Sequence, residues 1–358
     1  MGFDLEKSHT MGSEPLLSIV VTGFNNITTI SAAINSVPLL EKVELICIDD
    51  SSTDGTATLL GKLLEERPGL LIAKQKNEGI SAARNSGLRN ARGRYVSFLD
   101  GDDVLIGESV TLLLDSLEQD TVDCLIADHI TCRFSSVVSA SENYGQTPGL
   151  LSDQERFELI RAYLSEPIGN SIIPHAWGKI YRRMFLDTHS LAFDESVSIY
   201  EDTLFVANLL TSGARCRYIN LALYKHYVRE NSLSSTFEKN PLGFYKPMKI
   251  LSDYIDNEVM LNRAIGVYVS KTFALSLALP FQRRYLLFRA LVPTLKLAIG
   301  EGATSIRNRH VLLLSKFRLL SFPLAAVIIY SISVCIGNII LKLRSLRDCK
   351  NYSIGETK

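Results

Sequence analysis

The sequence predicts an α/β fold, a doubly wound, mostly parallel sheet followed by a C-terminal helical extension. Three observations predict it. Short apolar runs alternate with helix-type segments through the first 130 residues. The runs are apolar almost without interruption, as strands covered on both faces are. Polar and acidic clusters stand where the runs end, and ligands of such sheets bind outside the carboxyl ends of the strands.

Each element follows from local chemistry. A polar leader, residues 1–14, lacks the apolar core of a secretory signal and is expected to be flexible. "LLSIVVTGF" (16–24) is a β-branched strand closed by Gly23 and the pair Asn25-Asn26, and "NITTISAAINSV" reads as helix. "VELICIDD" (43–50) is a second strand. It stops at two aspartates, and the Ser and Thr caps of "SSTDGTATLLGKLLEE" then open a helix. "GLLIAKQ" (69–75), "RYVSFLD" (94–100) and "VDCLIADHI" (122–130) are further strands, with "GISAARNSGLRNA" and "SVTLLLDSLEQ" as helices between them. The polar, Ser-rich stretch 131–150 reads as a flexible loop, and "QERFELIRAYL" (154–164) as helix. From about residue 240 the amphipathic segments "VYVSKTFALSLAL" and "RYLLFRALVPTLKLAI" predict helices.

Composition excludes several classes. The 358 residues carry 38 basic and 38 acidic side chains, and no basic stripe interleaved with aromatics marks the first half, so nucleic acid is not an expected partner. Six cysteines without C-x-x-C or metal-type spacing suit reduced thiols in a cytosolic compartment. Neither G-x-G-x-x-G nor G-x-x-x-x-G-K-[ST] occurs, which disfavours a dinucleotide-binding or P-loop enzyme.

The tail differs. "LLSFPLAAVIIYSISVCIGNIIL" (319–341) is 23 residues long and uncharged, a length that can span a hydrocarbon core of roughly 30 Å as a helix. Between 305 and 350 stand eight basic residues and one acidic, which suits anionic headgroups. Its Pro323, Gly337 and Asn338 leave open whether it spans the bilayer, lies on it or packs within the fold.

The chemistry concentrates in three acidic clusters. Asp100-Gly101-Asp102-Asp103 places three carboxylates within four positions around a glycine, a pattern suited to a hard divalent cation bridging to a diphosphate. The alternative is an acidic loop that caps the next helix. Asp49-Asp50 and Glu201-Asp202 are the other two.

The context resembles the inverting, nucleotide-sugar-dependent glycosyltransferases of family 2, whose GT-A fold has a mixed, mostly parallel sheet. "SIVVTGFNN", "VELICIDDSSTDGT", "NEGISAARNSGLRNARGRYVSFLDGDD", "WGKIYRRMFL" with "FDESVSIYEDTLF", and "YKHYVRENSLSST" are similar, in order, to that family's motifs over residues 16 to 235. The resemblance implies a glycosyltransferase domain over 15–235, a helical extension over 236–318, the membrane-associated segment 319–341 and a basic tail over 342–358.

It also implies roles for single residues. Thr22 stands where the family usually has proline, and Phe24 keeps the stacking face but not the hydroxyl of the tyrosine often found there; both would line the base and ribose pocket. Asp50 would accept the imide N–H of uracil, and Asp49 would order that turn. Arg84, beside Asn85, would reach ribose or diphosphate, unless both lie on a surface helix. Asp102 would bind Mn²⁺ or Mg²⁺ directly, with Asp100 at the ribose or the metal's water shell and Asp103 the least defined of the three. Asp202 would be the base that takes a proton from the acceptor hydroxyl, with a pKa raised by burial; the bland reading makes it a helix N-cap. Trp177 stacks either on an acceptor sugar or in the core. His175 and His226 read as structural or rim residues.

The resemblance thus implies an enzyme that moves a sugar from a UDP-sugar to a glycan or lipid-linked acceptor at the cytoplasmic face of a membrane, peripheral or single-pass, in cell-surface polysaccharide assembly. The alternative is a GT-A domain that has lost catalysis and serves as an interaction module in a membrane-associated complex.

Overall fold

The computed structural model describes residues 5–7, 14–67, 70–133, 136–140, 148–165, 173–197, 200–228, 241–257, 260, 261 and 264. The chain divides into two units, Met1–Tyr163 with Gly169–Thr236, and Leu164–Ile168 with Phe237–Lys358. Segment 319–341 and the helices expected near 267–299 lie outside the described residues, as does most of the extension 236–318.

The first unit is built on one sheet. Its elements in chain order are β1 (Leu5–Lys7), β2 (Leu17–Gly23), α1 (Ile30–Ser36), β3 (Val43–Asp49), α2 (Thr56–Glu66), β4 (Leu70–Lys74), α3 (Ile80–Asn90), β5 (Tyr95–Asp100), β6 (Val104–Leu105), α4 (Gly107–Gln119), β7 (Cys124–Arg133), β8 (Ser136–Ala140), β9 (Gly149–Leu150), α5 (Asp153–Ser165), β10 (Lys179–Arg182), α6 (Arg183–Thr188), α7 (Glu201–Thr211) and β11 (Cys216–Tyr227). Helix α8 (Pro241–Tyr254) belongs to the second unit.

Strand order is β1-β4-β3-β2-β5-β10-β7-β11-β6, with β8 on β7 and β9 on β11. Strands β4, β3, β2 and β5 run parallel, and so do β7 and β11. Strand β10 lies antiparallel between β5 and β7. The fold is the expected mixed, mostly parallel one.

Two segments differ from expectation. Part of the leader pairs as β1 on β4, where the edge of the sheet offers unpaired backbone groups. The stretch read as a loop after 130 instead continues β7 to Arg133 and turns back as β8, so hairpin pairing overrides its polar composition.

Strand alternation sorts the core onto the two faces. Leu17, Ile19, Val21, Leu45, Cys47 and Leu99 bury one face with Ile30, Ile34, Leu60, Leu113 and Leu117 of α1, α2 and α4. Each such side chain contributes about 1.5–3 kcal/mol when fully buried. Phe98 belongs to the aromatic group on the other side of β5, edge-on to Phe193 at 5.1 Å and to Phe205 at 6.2 Å. That group supports the strand just below its acidic end.

Candidate active site

The carboxyl ends of β2 and β3 form the first wall. After β2, Asn25 takes a left-handed φ of 55° and its Oδ1 accepts the Thr53 N–H at 2.8 Å. Asn26 Oδ1 accepts the Phe24 N–H at 2.8 Å, and Asp54 Oδ2 accepts that of Ile27 at 3.0 Å. The β2 and β3 turns are therefore laced together, and Phe24 is left 45% exposed, as a stacking face requires. Thr22 is buried, and its hydroxyl has no hydrogen-bond partner among the described residues.

Asp50 is buried but already occupied. Its Oδ1 accepts from Gln75 Nε2 at 2.8 Å and the Glu78 N–H at 3.0 Å, and its Oδ2 accepts the Gly79 N–H at 2.9 Å. A carboxylate offers about four acceptor positions, so roughly one remains for an outside donor.

The end of β5 is the centre of the site. Asp100 Oδ1 accepts Arg84 Nη2 at 2.9 Å, while Arg84 Nη1 donates to Glu201 Oε1 at 3.1 Å and to Asp202 Oδ1. Arg84 is only 3% exposed, so the reading of α3 as a surface helix at this point is corrected: α3 is buried from Ser81 to Gly87. Asn85 faces inward too, pairing its amide with both backbone groups of Phe193. Burial opposes the Arg84 charge, but Asp202, Asp100 and Glu201 outweigh it and raise its pKa.

Gly101 is needed for contact more than for turning. A Cβ there would meet the Thr22 carbonyl oxygen at 2.8 Å, and the Gly101 N–H bonds that same oxygen. Asp102 stands half-buried at the turn. Asp103 points away into protein, accepting Tyr224 Oη at 2.8 Å, His226 Nδ1 at 3.1 Å and the Tyr227 N–H at 2.8 Å. It anchors the turn and does not cap α4, whose N-cap position is Ile106.

Asp202 lies in the first turn of α7, whose N-cap position is Tyr200 with φ 67°, so the N-cap reading of Asp202 is corrected. Its Oδ2 accepts the Ala176 N–H at 3.0 Å. Burial raises its pKa, with Arg84 pulling the other way. Glu201 is raised as well, by burial and by Asp202 beside it.

Sequence reasoning missed Tyr224, the Ala176 amide and the shared role of Glu201. For Tyr224 the visible signal was a Tyr-x-His-Tyr run, and for Glu201 its place beside Asp202. Trp177 is settled as packing: His175 stacks on its indole at 4.1 Å and 12°, Tyr224 at 4.5 Å and 9°. Two parallel rings that close to the indole cannot share one face, so both faces are covered. His226 stacks alongside at 5.5 Å.

Among the described residues no group of three or more His, Cys, Asp or Glu side chains converges as a metal cage. An ion of the Mg²⁺ type needs no such cage, because it binds through one or two carboxylates and takes its remaining ligands from water and substrate phosphates.

Residues 18–187 match the model for Glycosyl transferase family 2. It is 32% identical over 229 residues to the succinoglycan biosynthesis protein ExoO of Rhizobium meliloti (strain 1021), covering 62% of this chain and 63% of that protein. It is 26% identical over 225 residues to a cholesterol galactosyltransferase of Borreliella burgdorferi, covering 62% of each. The matches thus span somewhat under two thirds of these relatives. The crystal structure of S. aureus TarS 1-349 in complex with UDP-GlcNAc shares the fold, with TM-score 0.59, 21% identity and 87% of each chain covered. No helix among the described residues is long and apolar enough to cross a membrane.

Proposed function

We propose that the chain is an inverting glycosyltransferase that moves a sugar from a UDP-sugar to a glycan or lipid-linked acceptor in cell-surface polysaccharide assembly. The observation that carries this reading is Arg84, which ties the end of the donor-side strand, Asp100, to the carboxylate pair Glu201-Asp202.

Phe24 would stack on the nucleobase, Thr22 would line its pocket, and the remaining acceptor position of Asp50 would take the uracil imide N–H. Asp100 and Asp102 would hold Mn²⁺ or Mg²⁺, which when bound neutralises charge on the departing diphosphate. Asp202 would take the acceptor proton. Burial raises its pKa and so makes it a better base than a free aspartate, with Arg84 pulling the other way. The names of the relatives support sugar transfer, and the UDP-GlcNAc in the TarS complex is consistent with a nucleotide-sugar donor. Segment 319–341 with its basic flanks would hold the site at the cytoplasmic face of a membrane.

Calorimetric titration of UDP and GDP, with and without Mn²⁺, tests the reading. Metal-dependent binding of UDP that Asp102→Ala weakens is the expected result. GDP binding instead would overturn the role of Asp50. No binding of either by a folded protein would favour the non-catalytic module.

A further inference from the structure

The turn between Pro174 and Gly178 sits against the carboxylate pair and is held from several directions. The buried Lys179 ammonium donates to the His175 carbonyl, and Tyr181 Oη donates to the Ala176 carbonyl at 2.7 Å. The Ala127 N–H bonds the Gly178 carbonyl at 3.0 Å, and Gly178 itself takes a left-handed φ of 69°. Such a φ favours glycine because it has no Cβ. Between these anchors the Ala176 N–H points at Asp202 Oδ2, 3.0 Å away.

We propose that Lys179 is a positioning residue for Asp202: it clamps the His175–Ala176 peptide so that the Ala176 N–H fixes the second oxygen of the carboxylate. This rests on the reading of Asp202 as the acceptor base. A buried ammonium is costly unless paired, and the strand position of Lys179 would take a methionine of similar length at no such cost. The cost has a return in geometry. With Arg84 holding Oδ1 and the clamped amide holding Oδ2, the carboxylate plane is set from both ends, and its remaining lone pairs keep one direction. Lys179 is also a second buried cation that acts on Asp202, besides Arg84. Burial lowers its pKa to about 8, against the pull of Cys124, Asp202 and Cys216, so it is mostly charged at neutral pH.

The test compares wild type with Lys179→Met in the full chain. Three quantities are read: UDP affinity with Mn²⁺ by calorimetry, turnover of UDP-GlcNAc by UDP release, and hydrogen exchange of the Ala176 amide. The expected result is turnover reduced about 10- to 100-fold, as misplacement of a reacting group produces. UDP affinity should stay unchanged, and Ala176 should exchange faster while Ile180 and Tyr181 in β10 stay protected. Unchanged Ala176 exchange in a folded variant overturns the proposal, as does a loss that appears in UDP affinity and not in turnover. If wild type neither binds UDP nor turns over, the transferase reading fails, and the exchange measurement alone decides whether Lys179 clamps the turn. Should Lys179→Met not fold, Tyr181→Phe removes the clamp on the adjoining Ala176–Trp177 peptide and is held to the same outcomes.

Discussion

Arg84 Nη2 stands 2.9 Å from Asp100 Oδ1, and the other terminal nitrogen of the same guanidinium is bonded to the carboxylates that open α7. One buried cation therefore joins the neighbouring elements α3 and β5 to α7, which lies more than 100 residues further along the chain. Arg84→Met should cost about 3–5 kcal/mol, because it leaves buried carboxylates without a counter-charge. Urea denaturation measures this. A loss under about 1 kcal/mol would mean the carboxylates find water or protons at little cost.

The two aspartates after Gly101 should separate cleanly. Asp103→Ala strands Tyr224 Oη, His226 Nδ1 and the Tyr227 N–H, so it should destabilise by about 2–3 kcal/mol. Asp102→Ala should leave stability within about 1 kcal/mol, as half-exposed substitutions do, and abolish the effect of Mn²⁺ on UDP binding. Thermal unfolding and calorimetry on both variants read the difference.

Thr22→Val replaces a buried hydroxyl that lacks a partner with a methyl of similar size. The variant should be more stable by about 1 kcal/mol, since the desolvation cost of the orphan group disappears. If that hydroxyl serves the nucleoside, the variant should also bind UDP less tightly. Equal UDP affinity would assign Thr22 to the pocket wall only.

His129 governs part of the acid response. Burial, helped by His226 and Lys179, lowers its pKa to about 4 from the ordinary 6.5. Between those values the unfolded chain takes up a proton that the folded chain refuses. Stability should therefore fall as pH drops from about 6.5 toward 4. His175, also lowered by burial, acts in the same direction. Urea midpoints at pH 6.5 and 4.5 should lie closer together in His129→Gln than in wild type; an identical gap would exclude the effect.

The sequence by itself determined the sheet and its helices, because apolar runs of strand length and the turn residues between them are local signals. It also singled out the three acidic clusters, because carboxylates gathered behind apolar runs are visible in the sequence. It missed β10 and β11 as strands, and with them the antiparallel insertion beside β5, because pairing partners lie far along the chain. Tertiary structure alone decided the roles within the clusters. Asp102 and Asp103 are adjacent and chemically identical, yet β11 supplies three donors to Asp103, and Asp102 stands half-buried at the turn. Arg84 looked equally suited to a solvent-facing helix until α3 packed onto the sheet and left Asp100, Glu201 and Asp202 as its partners. A residue's charge is written in its type, but its partner is set by which distant elements the fold brings within hydrogen-bond reach.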